Sequence, residues 1–201
     1  MLLRRRATPL GQRMISAALA CGAGSSDARY ILASRHGEFS RLLTILQSVA
    51  KDDLPSPGEF SMSVHHALTG LLSIHANNRQ GHTAISAGFD TFGMALLEAV
   101  ACIAEAPGTP IVLMYGDQPL PEPYVGFQAP QHAEELVLAL GLTHAGPGDS
   151  GLIIDLAPMA DRTPADQPAC IARDFLQFFL SDASSGRSVG DRAIWRWTRH
   201  G

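Results

Sequence analysis

Residues 83–99 read Thr83-Ala84-Ile85-Ser86-Ala87-Gly88-Phe89-Asp90-Thr91-Phe92-Gly93-Met94-Ala95-Leu96-Leu97-Glu98-Ala99. Residues 83–87 form a short strand pattern, Gly88 supplies a tight turn, and a helix is predicted over 91–105. From Phe92 to Ile103 only Glu98 is polar. A helix apolar on nearly every side is expected to be buried between layers. Its many small residues would let neighbouring backbones approach closely. Strand, turn and sandwiched helix together argue for a layered α/β core.

The segments on either side agree with that core. Upstream, residues 9–21 predict an amphipathic helix ended by Gly22 and Gly24. Residues 29–34 predict a buried strand that runs into the polar loop Arg35-His36-Gly37-Glu38. Phe39, Leu42, Leu43, Ile45, Leu46 and Val49 recur at helical spacing until Asp52, Asp53, Pro55 and Pro57 break the helix. Phe60-Ser61-Met62-Ser63-Val64-His65-His66 comes next, followed by an apolar helical segment over 67–74.

Downstream, residues 111–115 predict a second fully buried strand, and the Pro-rich stretch 119–130 an ordered excursion without regular structure. Residues 135–143 and 151–156 resemble two strands around the turn Ala145-Gly146-Pro147-Gly148-Asp149. A helix over 169–180, a Gly/Ser-rich break and the apolar run 193–197 close the chain. There is neither an internal repeat nor a domain linker, so residues 1–201 are expected to form one domain.

Composition narrows the class of function. A chain of 201 residues can bury roughly 70% of its unfolded surface. With 46% hydrophobic and 17% charged residues its middle is not disordered. A formal charge of -4 without a basic block argues against nucleic acid as the main partner. The charged fraction is low against an average of about 25%, as expected if apolar surface is buried in an oligomer, or equally of a small Ala-rich protein. Cys21, Cys102 and Cys170 are odd in number and far apart, with no CxxC pair, which fits a reducing cytoplasm and suggests neither zinc site nor disulfide framework. Arg4-Arg5-Arg6 ahead of residues 14–21 imitates an export signal, but the apolar run is short and Thr8-Pro9-Leu10-Gly11-Gln12-Arg13 intervenes. No run reaches the ~18 apolar residues of a membrane span.

Few motifs carry chemistry on their own. Gly148-Asp149-Ser150-Gly151 resembles a serine-protease nucleophile region, but the double β-barrel and upstream pair it needs are missing, and a hairpin turn explains it. Nucleotide loops and the α/β-hydrolase elbow have no counterpart. His65 and His66 are adjacent, so on a strand they would face opposite sides and could not converge on a metal. Arg35-His36-Gly37-Glu38 sits at a strand end, where α/β proteins place functional groups, although a solvated turn with a local ion pair is the favoured reading without further context. Asp117 and Asp155 have no sequence partner for acid–base work.

Taken in order, several segments resemble one family. They are residues 4–10; Ala33-Ser34-Arg35-His36-Gly37-Glu38-Phe39; Leu54-Pro55-Ser56-Pro57; residues 60–67; Ala87-Gly88-Phe89-Asp90-Thr91-Phe92; and Tyr115-Gly116-Asp117-Gln118-Pro119-Leu120-Pro121. The set resembles the short ketosynthase-like subunits known as β-ketoacyl synthase chain length factors, of aryl-polyene-type clusters. The resemblance is strongest over 4–156, leaving 157–201 as a C-terminal extension. This chain departs from the family pattern at His66, where relatives carry asparagine, and at Gln118, where they carry glutamate. Relatives also begin with an extra stretch containing the first core strand, so an exposed sheet edge or a gap that a partner must cover is expected here.

The resemblance implies half a thiolase-like fold, the N-terminal ketosynthase-type layered sheet with a buried core helix. It places the nucleophilic cysteine of ketosynthases at Phe89, with Gly88 the near alternative, and neither side chain can attack a thioester. No catalytic residue, metal or cofactor is therefore expected. The implied role is a non-catalytic partner in a heterodimer with an active β-ketoacyl synthase, to which acyl carrier protein delivers malonyl units. This subunit would wall off part of the acyl-chain tunnel. Phe89 and Phe92 are the tunnel candidates, because a bulky ring sets where a linear chain stops. His36, Glu38, His65, His66 and Asp90 are candidates for interface hydrogen bonds. Two alternatives remain: a stand-alone acyl thioester hydrolase, and a homodimeric binding module that keeps the thiolase-like interface.

Overall fold

In the computed structural model, residues 6–21, 27–159 and 168–201 are described. Arg4, Arg5, Gly22 and Gly24, used above, lie outside them. The first helix, α1 (Pro9–Ala20), has Pro9 in its first turn, and the Thr8 hydroxyl accepts from the Gly11 N–H at 3.2 Å. It is followed by β1 (Arg29–Ala33), α2 (Phe39–Val49), α3 (Pro57–Ser63), α4 (Ala67–Ala76) and β2 (His82–Ile85). A 3-10 turn (Gly88–Asp90) leads into α5 (Thr91–Glu105), and β3 (Ile111–Asp117) comes next. Two further 3-10 turns, Tyr124–Phe127 and Pro130–His132, punctuate the Pro-rich excursion. Then come β4 (Leu136–Leu142), β5 (Gly151–Pro158), α6 (Ile171–Leu180), β6 (Ser185–Val189) and β7 (Ala193–His200).

The central sheet has the order β2-β1-β3-β4. β1 runs parallel to both β2 and β3, and β4 runs antiparallel to β3. Alternation along its strands separates two cores. Ile31, Ala33, Ile111, Leu113 and Tyr115 pack with Phe92, Ala95, Leu96 and Ala99 of α5 and with Phe175 and Phe178 of α6. Tyr30, Leu32, Val112 and Met114 pack on the other side with Leu10, Met14 and Ile15 of α1 and Leu68 and Leu72 of α4. The result is the layered α/β arrangement predicted from residues 83–99.

A second, antiparallel sheet of order β5-β7-β6 closes the α5 side. Its contributions to the core are Trp195 and Trp197, both fully buried. Fully burying a large apolar side chain contributes about 1.5–3 kcal/mol, so these two indoles anchor the C-terminal segment. Gly93 makes room for one of them, because a Cβ there would collide with the Trp195 ring.

Three expectations are corrected. β4 and β5 are not a hairpin: β4 pairs with β3 and β5 with β7, in different sheets. The turn chemistry between them is real, with Asp149 accepting from the Gly146 N–H at 2.8 Å, but it does not set pairing. His65 and His66 are not on a strand; they occupy the turn between α3 and α4. Finally, α5 is not buried all round. Met94, Leu97 and Val100, three residues apart, are 38%, 40% and 47% exposed and form an open apolar stripe.

Candidate functional site

The parallel strands β1, β2 and β3 bring three loops to one end of the sheet, the end at which open α/β folds bind ligands. β1 delivers residues 34–38, β2 delivers residues 86–90, and β3 ends on Asp117. Asp117 is buried and organises the first loop. One carboxylate oxygen accepts from Ser34 Oγ at 2.9 Å, Arg35 N at 3.0 Å and His36 N at 3.1 Å; the other accepts from Arg35 N at 3.0 Å. Ser34 Oγ in turn accepts from Gly37 N at 2.7 Å. The loop is thus a clamped structure, not a solvated turn, and Asp117 has the partners its sequence context did not reveal. Those partners lie more than 80 residues away, beyond any local pattern.

The β2 loop forms an elbow. Gly88 has φ +61°, a left-handed conformation that glycine tolerates. Thr91 Oγ1 accepts from Ala87 N at 2.9 Å and donates to Gly88 O at 2.7 Å, closing the turn at the start of α5. Phe89 at the apex is half-buried. The Arg35 guanidinium carbon lies 3.8 Å from its ring centroid, and the His132 ring is 5.3 Å away at 55°. The two loops are joined by Ser86 Oγ, which donates to Arg35 O at 3.1 Å.

The other site candidates divide into distinct roles. Phe92 is core: it is 2% exposed and packs edge-on to Tyr115 at 5.5 Å and against Phe175 at 5.2 Å. Asp90 points inward and is buried, bonded to the β6–β7 turn and to Trp195. Both side chains are buried within this chain. Glu38 accepts from Thr8 Oγ1 at 2.9 Å and lies 3.9 Å from Arg41, tying α1 to the start of α2. The His65 ring lies against Gly37, and the exposed His66 ring is 5.3 Å from that of His82. His132, which sequence reasoning missed, joins Phe89 from the Pro-rich excursion; a lone histidine in a loop carried no signal.

Burial pushes His36 and His132 down in pKa, and the Arg35 charge adds to it, so both rings favour the neutral form. Burial raises Glu38 and also Tyr115. The buried atoms Arg35 Nη1, His36 Nε2, His65 Nε2 and His132 Nε2 have no hydrogen-bond partner. Among the described residues no three His, Cys, Asp or Glu side chains converge to hold a metal.

Hollows open both away from this end of the sheet and beside it. An apolar cleft of about 640 Å³ separates α5 and α6 from the β4–β5 connection, lined by Leu96, Val100, Leu142, Leu152, Phe175 and Phe179. A smaller one of about 290 Å³ opens beside the elbow, between Ala87, Asp90, Met94, Leu156, Arg192 and Trp195. The larger cleft is remote from Phe89, so size alone does not mark the functional end of the sheet.

The sequence matches the family described as "Beta-ketoacyl synthase, N-terminal domain" over residues 1–198. The chain belongs to this family. Its fold is the thiolase-like ketosynthase N-terminal half, as the layered sheet and elbow indicate. Among solved structures it is similar to a chain of the ketosynthase ApeO in complex with its chain length factor ApeC from Xenorhabdus doucetiae. That match has 25% identity and a TM-score of 0.82, and covers 97% of this chain and 79% of that one. No curated protein matches significantly. Within the ketosynthase family the elbow after the strand is the segment of interest, and here it reads Gly88-Phe89-Asp90, with no thiol. No described helix of this ketosynthase-like chain is long and apolar enough to cross a membrane.

Proposed function

We propose that this chain is a non-catalytic, ketosynthase-like subunit that pairs with an active β-ketoacyl synthase and shapes the tunnel for its growing acyl or polyene chain. Residues 1–201 act as one unit in this role. The observation that carries it is Phe89 at the apex of the elbow, where the resemblance puts the nucleophile of ketosynthases and where a ring cannot attack a thioester. The comparison with the ApeO–ApeC complex, whose own components are a ketosynthase and its chain length factor, supports a ketosynthase as partner.

The surface supports the same reading. Among the described residues β2 is an edge strand, hydrogen-bonded to β1 alone within its sheet. The α5 stripe of Met94, Leu97 and Val100 is open, and α2 and α3 expose Leu42, Leu46, Val49 and Phe60. Exposed apolar surface on this scale is the mark of an interface. Acyl carrier protein would serve the ketosynthase subunit of the pair. The hydrolase alternative needs a histidine paired with an accessible nucleophile: Nε2 of His36, His65 and His132 is buried without a partner, and the Thr69 hydroxyl, 3.3 Å from His82 Nδ1, is fully buried and donates to His66 O.

The test is co-expression with the nearest encoded ketosynthase, followed by purification on a tag carried by one subunit and native mass spectrometry. A one-to-one complex is expected. A monodisperse chain that ignores the ketosynthase overturns the proposal.

A further inference from the structure

We propose that Arg35 is a positioning residue: it fixes the Phe89 ring, and through that ring the point at which an acyl chain stops. The inference rests on the reading of Phe89 as the tunnel's end, and adds what holds that end in place.

The geometry is one of a frame and a lid. Arg35 is pinned at both backbone groups, its N–H by both Asp117 oxygens at 3.0 Å and its carbonyl by Ser86 Oγ at 3.1 Å. With the main chain fixed, the side chain reaches across to the neighbouring loop and sets its guanidinium carbon 3.8 Å from the Phe89 centroid. This is contact distance for a planar cation on an aromatic face. Asp117 and Asp191 attract the guanidinium through space, but the Asp117 carboxylate is already engaged by Ser34 Oγ and two backbone N–H groups, and Arg35 Nη1 is buried without a hydrogen-bond partner. The close face contact of the guanidinium is with the Phe89 ring.

The ring is bracketed from a second direction by His132, whose own position is set by burial in the Pro-rich excursion. Phe89 is otherwise only half-buried, at the tip of an elbow whose Gly88 and Thr91 fix the backbone but not the side-chain rotamer. A phenyl ring free to turn about χ1 would present a soft stop to a growing chain. A ring held under a cation presents a sharp one. The pair therefore sets the precision of chain length as well as its mean.

The test uses the full chain in two measurements. The first is 19F NMR with 4-fluorophenylalanine placed at position 89. One sharp line is expected, shifted or broadened in Arg35→Gln and intermediate in Arg35→Lys, which keeps the charge but not the plane. An unchanged line in Arg35→Gln overturns the positioning role. The second is product length from the complex with the ketosynthase, read by mass spectrometry. Phe89→Ala is expected to lengthen the product by at least one extension unit, and Arg35→Gln to broaden the distribution in the same direction. The double variant should go no further than Phe89→Ala; a shift that adds in full overturns the claim that Arg35 acts through Phe89. If Arg35→Gln does not fold, Arg35→Lys carries both measurements, and no change in either one overturns the proposal. Should the unaltered chain form no complex, the function proposed above fails, while the NMR result still decides whether Arg35 holds the ring.

Discussion

The Asp90 carboxylate accepts the Trp195 indole N–H at 2.8 Å, joining the elbow to the C-terminal sheet across 105 residues of sequence. Its other oxygen accepts from Asp191 N at 3.0 Å and Arg192 N at 2.8 Å, so one buried side chain satisfies three donors. Gly190 completes the fit, because a Cβ there would collide with the same carboxylate. The elbow's shape thus depends on a hairpin that lies far away in sequence.

Asp90→Ala leaves those donors unsatisfied in the interior. An orphaned buried donor costs about 1–3 kcal/mol, so a loss of about 3 kcal/mol or more is expected in urea unfolding. Asp90→Asn keeps one acceptor and should lose roughly half as much. If both variants unfold within about 0.5 kcal/mol of the parent, as surface substitutions do, the clamp is not structural.

Gly93→Ala tests the close approach of α5 and the Trp195 ring. Overpacking of this kind costs about 1–3 kcal/mol. The indole fluorescence should change with it, since the ring has to move. A variant with parental stability and spectrum would mean the interior yields more readily than the contact implies.

Leu97→Glu tests the open stripe. Leu97 is 40% exposed, so the isolated chain should keep its stability within about 0.5 kcal/mol, while complex formation with the ketosynthase is lost. The readout is size-exclusion chromatography of the co-expressed pair. Retained complex would move the partner's footprint to another face.

Stability should fall on acidification. The folded-state pKa values of His36 and His132 are depressed by burial below the unfolded value of 6.5. Between those values the unfolded chain binds more protons, so each histidine's contribution is complete above about pH 6.5 and is lost as pH drops toward its folded value. A single group gives a slope of at most about 1.4 kcal/mol per pH unit. His132→Gln should flatten the decline measured by urea unfolding between about pH 7 and pH 5. An unaltered slope would show that the ring already takes its proton in the folded state.

Much of this fold was legible in the sequence because its central elements obey strong local rules. β1, β3 and α5 are nearly continuous apolar runs, and the breaks at Gly88 and Asp52–Asp53 fall where turn chemistry puts them. What local pattern could not give was partnership. The loop between β4 and β5 looks like a hairpin turn, yet sheet membership is decided by which edge each strand finds. Asp117 looked solitary because its donors come from the end of β1. An apolar helix face reads the same whether its cover belongs to the same chain or to another, so the exposure of Met94, Leu97 and Val100 was invisible. At the elbow, sequence located Phe89 but not the arginine over it, since cation and ring stand on different strands' loops.

The edge at β2 also bears on supply. A strand with one edge open among the described residues, beside apolar helices, is a template for further copies of itself, and none of its four residues, His82–Ile85, is the lysine or proline that blunts such edges. If the proposed ketosynthase covers it, a cell that makes this chain faster than that partner accumulates a self-adhesive species. Matched synthesis of the two, from adjacent reading frames on one transcript, is the simplest remedy, and unbalanced expression in the laboratory should deliver the chain as aggregate.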